Sequence, residues 1–126
     1  MQILPFYAAL LALMFVVLSI RIIRLRQGLS VGLGDAGDPQ LQRAIRVHAN
    51  FAEYVPLGLV LIFLVEVKGA PWLLVNLLCL GLLLGRLCHA YGVSQVKEDL
   101  RFRVCAMIMT FLTLLVCAAY LLLSYL

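Results

Sequence analysis

One polar stripe stands out in an otherwise apolar chain, in the segment that follows Asp38 and Pro39. The stripe consists of two arginines, an amide, a carboxylate and a phenol: Arg43, Arg46, Asn50, Glu53 and Tyr54. At about 100° per residue on an α-helix, all five side chains fall within an arc of about 100°. His48 falls roughly opposite this arc. Ionisable side chains cost about 2.5–3.5 kcal/mol each at the centre of a membrane helix, so they persist where they face a protein interior or a wet cavity.

Such a stripe could bind a small anionic ligand that also forms hydrogen bonds. Two simpler interpretations remain open. The arginines could reach the lipid headgroups with their long side chains, and the stripe could be a structural ion-pair network between helices. Headgroup contact accounts better for Arg43 than for Arg46, and it does not account for Asn50 and Glu53, which lie deeper. We therefore predict a polar pocket that opens toward the cytoplasmic side.

A second polar cluster spans the end of one apolar segment and the start of the next. Its members are Arg86, His89, Tyr91, Arg101 and Arg103. Arg86 and His89 are three residues apart and share a helix face. The two clusters lie at the same membrane depth, so they could converge into one site. There, a guanidinium beside a bound thiol would favour the nucleophilic thiolate, and fixed positive charge would stabilise an anion in a water-poor site.

The elements that carry these clusters are those of a membrane protein. The chain has 126 residues, of which 65% are hydrophobic and 13% charged, whereas soluble domains average roughly 45–50% apolar and 25% charged residues. Too few polar side chains are left to cover a soluble particle, and disorder needs the opposite composition. We predict an all-α integral membrane protein: a single domain over residues 1–126, with four transmembrane helices at about 2–25, 39–67, 71–91 and 101–125.

Short sequence motifs indicate where these helices begin and end and where two of them pack closely. Glycine and aspartate residues mark a loop over residues 27–39. At the end of this loop, Asp38 is placed to cap the second helix. Within the third helix, Gly81 and Gly85 form a GxxxG spacing, which permits close approach of another helix and is interpreted here as packing.

The basic residues define an orientation. Of the ten Lys and Arg residues, all but Lys68 fall on the side formed by the first and third connections. By the positive-inside rule this side is cytoplasmic, and both termini face away from it. The net charge of +4 therefore does not indicate nucleic-acid binding, because no basic tract lies next to base-stacking aromatics. The four cysteines form no CxxC pair and accompany no metal-ligating cluster, so no metal site is predicted.

Together these patterns resemble a known family. Residues 43–56 (RAIRVHANFAEYVP) resemble the second-helix signature of the MAPEG superfamily, the membrane-associated proteins in eicosanoid and glutathione metabolism. That signature pairs Arg, Asn and Glu at spacings of four and three. Residues 85–92 (GRLCHAYG) resemble the end of the third helix in small bacterial members and prostaglandin E synthase. The four-span plan and its orientation are similar to the family over the whole chain.

The resemblance implies a homotrimer in the bacterial inner membrane. It also implies glutathione as a co-substrate, held between neighbouring subunits near the cytoplasmic face. Carried over to this sequence, Arg46 would bind a carboxylate of the tripeptide and Glu53 its amine. Asn50 and Tyr54 would bind it through hydrogen bonds.

The same resemblance assigns the remaining site residues. Arg103 best matches the fourth-helix arginine that activates the thiol in catalytic members, and Arg101 also qualifies. His89 falls where the family places a Tyr or His in the site. Arg43 and Tyr91 complete the predicted glutathione-binding set.

These expectations favour a membrane-embedded glutathione-dependent transferase or peroxidase that acts on hydrophobic electrophiles from the bilayer. The alternative is a non-catalytic lipid-binding or scaffolding membrane protein of the same fold, because a fold alone does not establish activity. A channel or transporter is less favoured. It would need a polar path across the full span, yet the outer halves of the helices are apolar apart from Glu66, Lys68 and Asn76.

Overall fold

Four long α-helices make up most of the structure, a computed structural model that describes residues 2–126. They are α1 (Leu4–Leu29), α2 (Pro39–Val67), α3 (Trp72–Ser94) and α4 (Leu100–Leu123). All four are long and apolar enough to cross a membrane. The prediction of an all-α membrane protein with four spans is therefore confirmed.

Two helices extend beyond the limits that hydropathy indicated. α1 was expected to end near residue 25, but it continues to Leu29, where Ser30 adopts a left-handed conformation with φ of 54°. α3 was expected to end near residue 91 and continues to Ser94. Hydropathy marks where a helix leaves the hydrocarbon, whereas helical hydrogen bonds continue into the interface. At α2, by contrast, Asp38 caps the helix as expected, because its Oδ1 accepts a hydrogen bond of 2.8 Å from the Leu41 N–H.

The helices α2 and α3 form the middle of the subunit. Each of them contacts both α1 and α4, whereas α1 and α4 do not touch each other over residues 2–126. α1 buries only Leu4, Leu11 and Leu18. This single line of leucines, spaced by seven residues, holds α1 against its neighbours and leaves most of its apolar surface facing outward.

Small residues bring α3 and α4 close together. A Cβ atom added to Gly81 would lie 3.0 Å from Oγ1 of Thr113, and one added to Gly85 would lie 3.1 Å from Oγ1 of Thr110. Each threonine hydroxyl donates back to a carbonyl of its own helix at 2.9 Å. The interpretation of the GxxxG spacing as packing is confirmed, and the residues that it brings near α3 are two threonines.

Glu66 and Asn76, which lie in the otherwise apolar half of the bundle, form hydrogen bonds with α1. Oε1 of Glu66 accepts hydrogen bonds from the backbone N–H groups of Ile3 and Leu4, at 2.5 and 3.4 Å. These donors begin a helix and have no partner within it. One turn further along α1, the hydroxyl of Tyr7 donates to Oδ1 of Asn76 at 2.6 Å. Glu66 and Asn76 therefore act as structural anchors of the first helix.

Gly92 has the tightest surroundings of the glycines, and we predict that Gly92→Ala destabilises the protein. A Cβ atom at this position would lie 2.7 Å from Cβ of Phe102 and 3.4 Å from the backbone nitrogen of Arg103. Overpacking of this kind typically costs about 1–3 kcal/mol. Thermal unfolding in detergent, followed by circular dichroism, should show a lowered melting temperature.

The matched control for this variant is Gly28→Ala. Gly28 also lies in a helix, but nothing approaches within 4 Å of its added Cβ. Its melting temperature should equal or slightly exceed that of the unchanged protein, since alanine favours a helix over glycine. An unchanged melting temperature for Gly92→Ala would contradict the packing described above.

Candidate functional site

The polar stripe of α2 is divided by its position relative to the buried face of that helix. The buried face carries Leu41, Ala44, Val47, Phe51, Val55, Gly58, Ile62 and Val65. At about 100° per residue, Tyr54 and Asn50 lie nearer to this face than Arg46 and Glu53 do. Accordingly, Asn50 is buried and Tyr54 half-buried, whereas Arg46 and Glu53 are exposed. The stripe thus has an inner half and an outer half.

The outer half is an ion pair on the surface of the subunit. Nη2 of Arg46 donates to both carboxylate oxygens of Glu53, at 2.9 and 3.1 Å, and the two side chains are 50% and 52% exposed. Glu53 is the central residue of α2. The helix is about 43 Å long at about 1.5 Å per residue, so a hydrocarbon core of roughly 30 Å includes its midpoint wherever it falls. A protein surface or a ligand must therefore cover this pair.

The inner half meets a buried arginine from α3. Arg86 is 1% exposed. Its Nη1 donates to Oδ1 of Asn50 at 2.5 Å, and its Nη2 donates to Oγ1 of Thr110 at 2.6 Å. The ring centroid of Tyr54 lies 5.7 Å from the Arg86 Cζ. One guanidinium therefore connects α2, α3 and α4.

A groove of about 390 Å³ opens at the end of the bundle that carries the first and third connections. Its lining residues are Gln42, Arg43, Ile45, Arg46, Val93, Glu98 and Arg103. Oε2 of Glu98 accepts a hydrogen bond of 2.9 Å from Nη1 of Arg43, while Oε1 lies 3.9 Å from Nη1 of Arg103. Two guanidinium groups, those of Arg43 and Arg103, thus lie near the Glu98 carboxylate, and a third, that of Arg46, lines the same groove. The volume falls in the range of small-molecule sites, roughly 300–1,000 Å³, and the excess positive charge suits an anion.

The structure brings three of the nine predicted site residues into this groove. Arg43, Arg46 and Arg103 line the groove itself. Asn50, Glu53 and Tyr54 continue from Arg46 along α2, away from the groove. His89 lies on the inner face of α3 and is only 3% exposed.

Tyr91 and Arg101 do not join this group within one subunit. The ring of Tyr91 is exposed and packs edge-on against Phe102, with centroids 5.2 Å apart. Arg101 lines a separate apolar groove along the outer face of α4, with Val104 and Cys105. The physical reason is helical phase, because residues two apart on a helix point about 200° away from each other. Arg103 and Arg101 therefore face opposite sides.

Two residues of the site lay outside the set assigned from the resemblance. Glu98 stands in the polar connection before α4, next to the helix-capping Asp99, and nothing in its local sequence shows that it folds back onto Arg43. Arg86 was recognised as part of the second polar cluster but received no role. A signal for its burial was available, since Arg86 lies seven residues after Cys79 and four after Leu82, and so shares the helix face of these two apolar residues.

An apolar cavity of about 280 Å³ lies between α1 and α2, on the other side of α2 from the polar stripe. Its lining residues are Ala8, Leu11, Ala12, Phe15, Phe51, Ala52, Val55, Pro56 and Leu59. His48 also belongs to this side, as its position opposite the stripe indicated: its ring stacks on Phe15 with centroids 4.7 Å apart. Within one subunit, the polar and apolar spaces therefore do not meet.

Comparisons with known proteins agree with this architecture. The MAPEG family matches residues 4–123. Inner membrane protein YecN of Escherichia coli (strain K12) is 43% identical over 86 residues, which are 68% of this chain and 66% of that protein. YecN of Escherichia coli O6:H1 matches with the same figures. The match thus spans just under two thirds of the length of these relatives. With its four spans, the chain is a multi-pass inner membrane protein, as the sequence predicted, and it belongs to the MAPEG family.

Proposed function

We propose that this protein is a glutathione-dependent transferase or peroxidase that acts on hydrophobic electrophiles in the membrane. The observation that carries the proposal is the groove lined by Arg43, Arg46 and Arg103, in which the one lining carboxylate, that of Glu98, pairs with Arg43 and lies 3.9 Å from Arg103. Glutathione has two carboxylates, one amine and one thiol. Its carboxylates would therefore balance the excess positive charge of the arginines in this groove. Family membership supports the same ligand.

The outer half of the polar stripe suits the amino-acid end of the tripeptide. Arg46 and Glu53 now satisfy each other at 2.9 Å. A ligand carboxylate can replace Glu53 as the partner of Arg46, and a ligand ammonium can replace Arg46 as the partner of Glu53. Every charge then stays paired, as a low-dielectric site requires. In the proposal, Asn50 and Tyr54 add hydrogen bonds beside this pair.

Arg103 is the proposed catalytic residue. Its guanidinium borders the groove, and its one carboxylate neighbour, Glu98, is 3.9 Å away, which leaves the guanidinium available to a thiolate. In the transferase reaction, the thiolate sulfur bonds to the electrophilic carbon and the leaving group departs with its electron pair. In the peroxidase reaction, one thiolate attacks a peroxide oxygen, the O–O bond breaks and the alcohol leaves, which gives the sulfenic acid of glutathione. A second glutathione then displaces water from this sulfur to form the disulfide, so that two thiols are oxidised for each peroxide reduced. Stabilising the anion is the role of Arg103 in both reactions.

A neighbouring subunit would complete the site. The Arg46–Glu53 pair faces outward at mid-helix, and the apolar cavity lies on the opposite side of α2. A thiol and a hydrophobic substrate can therefore meet only where one subunit contacts another. We propose the homotrimer that the family resemblance implies, with glutathione between subunits. His89 belongs to the inner wall of this site, and the exposed ring of Tyr91 is available to a neighbouring copy.

The apolar cavity also supports a second candidate, a non-catalytic lipid-binding or scaffolding protein. A space lined almost wholly by carbon atoms can hold an acyl chain without any thiol chemistry. Glutathione binding without turnover of any electrophile would favour this candidate.

We predict that Arg103→Leu and Arg101→Leu differ sharply in their effect. Purified protein with millimolar glutathione should show thiolate in its ultraviolet difference absorbance and should turn over a generic electrophile. Arg103→Leu should abolish the thiolate signal and lower kcat by a factor on the order of 100, as loss of one anion-stabilising group does. Arg101→Leu removes the same charge from the same helix but on the other face, and it should leave both measurements unchanged.

Two results would contradict this assignment. Equal losses in the two variants would show that the removed charge acts through the general field of α4 rather than through the groove. Absence of glutathione binding to the unchanged protein at millimolar concentration would end the proposal of a glutathione-dependent enzyme.

We predict that native mass spectrometry in mild detergent detects assemblies of three subunits. Glu53→Lys should reduce the trimer fraction, because two cations would then face each other where the neighbouring subunit is proposed to pack. Lys97→Glu, a charge reversal in the exposed third connection, serves as the control and should leave the trimer intact. A monomer as the main species of the unchanged protein would overturn the trimer.

A further inference from the structure

The buried Arg86 guanidinium lacks the partner that such a group ordinarily has. A charge inside a protein is usually paired with an opposite charge. Over residues 2–126, however, no carboxylate lies within ion-pair distance of Arg86. Its neutral partners are Asn50 and Thr110, with the sulfur of Met107 at 3.7 Å. Within the described chain, its buried Nε has no hydrogen-bond partner.

This contact fixes which way the Asn50 amide points. A guanidinium only donates hydrogen bonds, whereas a side-chain amide has one accepting end and one donating end. Asn50 must therefore turn its Oδ1 toward Arg86, at 2.5 Å. Its Nδ2 group then points away from the Arg86 guanidinium. Asn50 retains 9% of its surface, and its Nδ2 is not among the buried unpartnered atoms of residues 2–126.

The far end of the same network fixes the guanidinium itself. The hydroxyl of Thr110 donates to the carbonyl of Ala106 at 2.9 Å. Its oxygen is then free to accept from Nη2 of Arg86 at 2.6 Å. Thr110 lies seven residues, about two turns, after Arg103 on α4, so both face the same way. Through these two hydrogen bonds, Arg86 fixes the position of α4, which carries Arg103, relative to Asn50 on α2.

We infer that Arg86 is a positioning residue, which holds Asn50 so that the N–H groups of the Asn50 amide meet the ligand. At this point the site therefore binds a hydrogen-bond acceptor of the ligand. The part of the inference that concerns glutathione rests on the proposed function. Asn50 then offers a donor to a carboxylate or carbonyl oxygen of the peptide, while the uncompensated charge of Arg86 lies directly behind it.

Asn50→Asp separates positioning from a purely structural role. The variant keeps the shape of the side chain and gives Arg86 a carboxylate partner, so the protein should melt above the temperature of the unchanged protein. It removes the N–H donor and adds negative charge, so the Kd for glutathione, measured by isothermal titration calorimetry, should rise at least about tenfold. The control is Asn76→Asp near the start of α3, at the end of the bundle opposite the groove, where the Asn76 Oδ1 accepts a hydrogen bond from Tyr7. It should leave the Kd unchanged.

The inference is overturned if Asn50→Asp binds glutathione as tightly as the unchanged protein. Arg86→Lys provides a second variant in case Asn50→Asp folds poorly. It keeps the charge, but its compact ammonium does not reproduce the planar fork that reaches both Asn50 and Thr110. It should weaken glutathione binding at least threefold, and unchanged affinity in this variant would also overturn the inference.

A measurement without ligand distinguishes failure of this inference from failure of the proposed function. Asn50→Asp should raise the melting temperature when Arg86 is present and should not raise it in an Arg86→Gln background. If the unchanged protein binds no glutathione, the proposed function fails, and this coupling alone decides whether Arg86 holds Asn50. Equal effects of Asn50→Asp in the two backgrounds would overturn the positioning.

Discussion

A guanidinium enclosed within a membrane bundle is the constraint on which the rest of this structure depends. A charged side chain at the centre of a membrane helix costs several kcal/mol unless protein groups replace its water. Arg86 obtains these groups from two other helices, an amide from α2 and a hydroxyl from α4. Separating any of the three helices would therefore leave charge or polar atoms unsatisfied in a medium that cannot hydrate them. This requirement gives the bundle a specific register, which apolar contacts between similar leucine surfaces would not impose by themselves.

The close packing of α3 and α4 follows from the same requirement. The Thr110 hydroxyl can reach Arg86 only if the two backbones approach closely, and the absence of a side chain at Gly85 permits that approach. Gly92 continues the contact to the start of α4, where Phe102 and Arg103 lie. The glycines of α3 therefore have a consequence beyond helix packing. They set the position of the α4 residue that borders the groove.

The parts of this architecture that the sequence predicted are those that depend on local properties. Hydropathy located four spans, and the 3.6-residue helical period was sufficient to place Arg46, Asn50 and Glu53 on one side of α2. What could not be predicted depends on contacts between distant segments. Which of Arg101 and Arg103 borders the groove depends on the phase of α4 relative to its neighbours, and the contact of Glu98 with Arg43 depends on the fold of a connection. The division of the stripe into a buried amide and an exposed ion pair needed the position of α3.

The same physical argument supports the proposal that the Arg46–Glu53 pair is covered by a neighbouring copy. Arg86 is satisfied inside the subunit, whereas the Arg46–Glu53 pair, on the same stripe, is half exposed at the middle of its helix. Lipid chains offer neither charge nor hydrogen bonds, so the pair is stable only beneath another polar surface or in a wet pocket. The apolar cavity cannot provide that cover, since it lies on the opposite side of α2. In the proposed trimer, a neighbouring copy would cover the pair without expelling all water from it, and a zwitterionic ligand would then exchange partners with the pair while every charge stays matched.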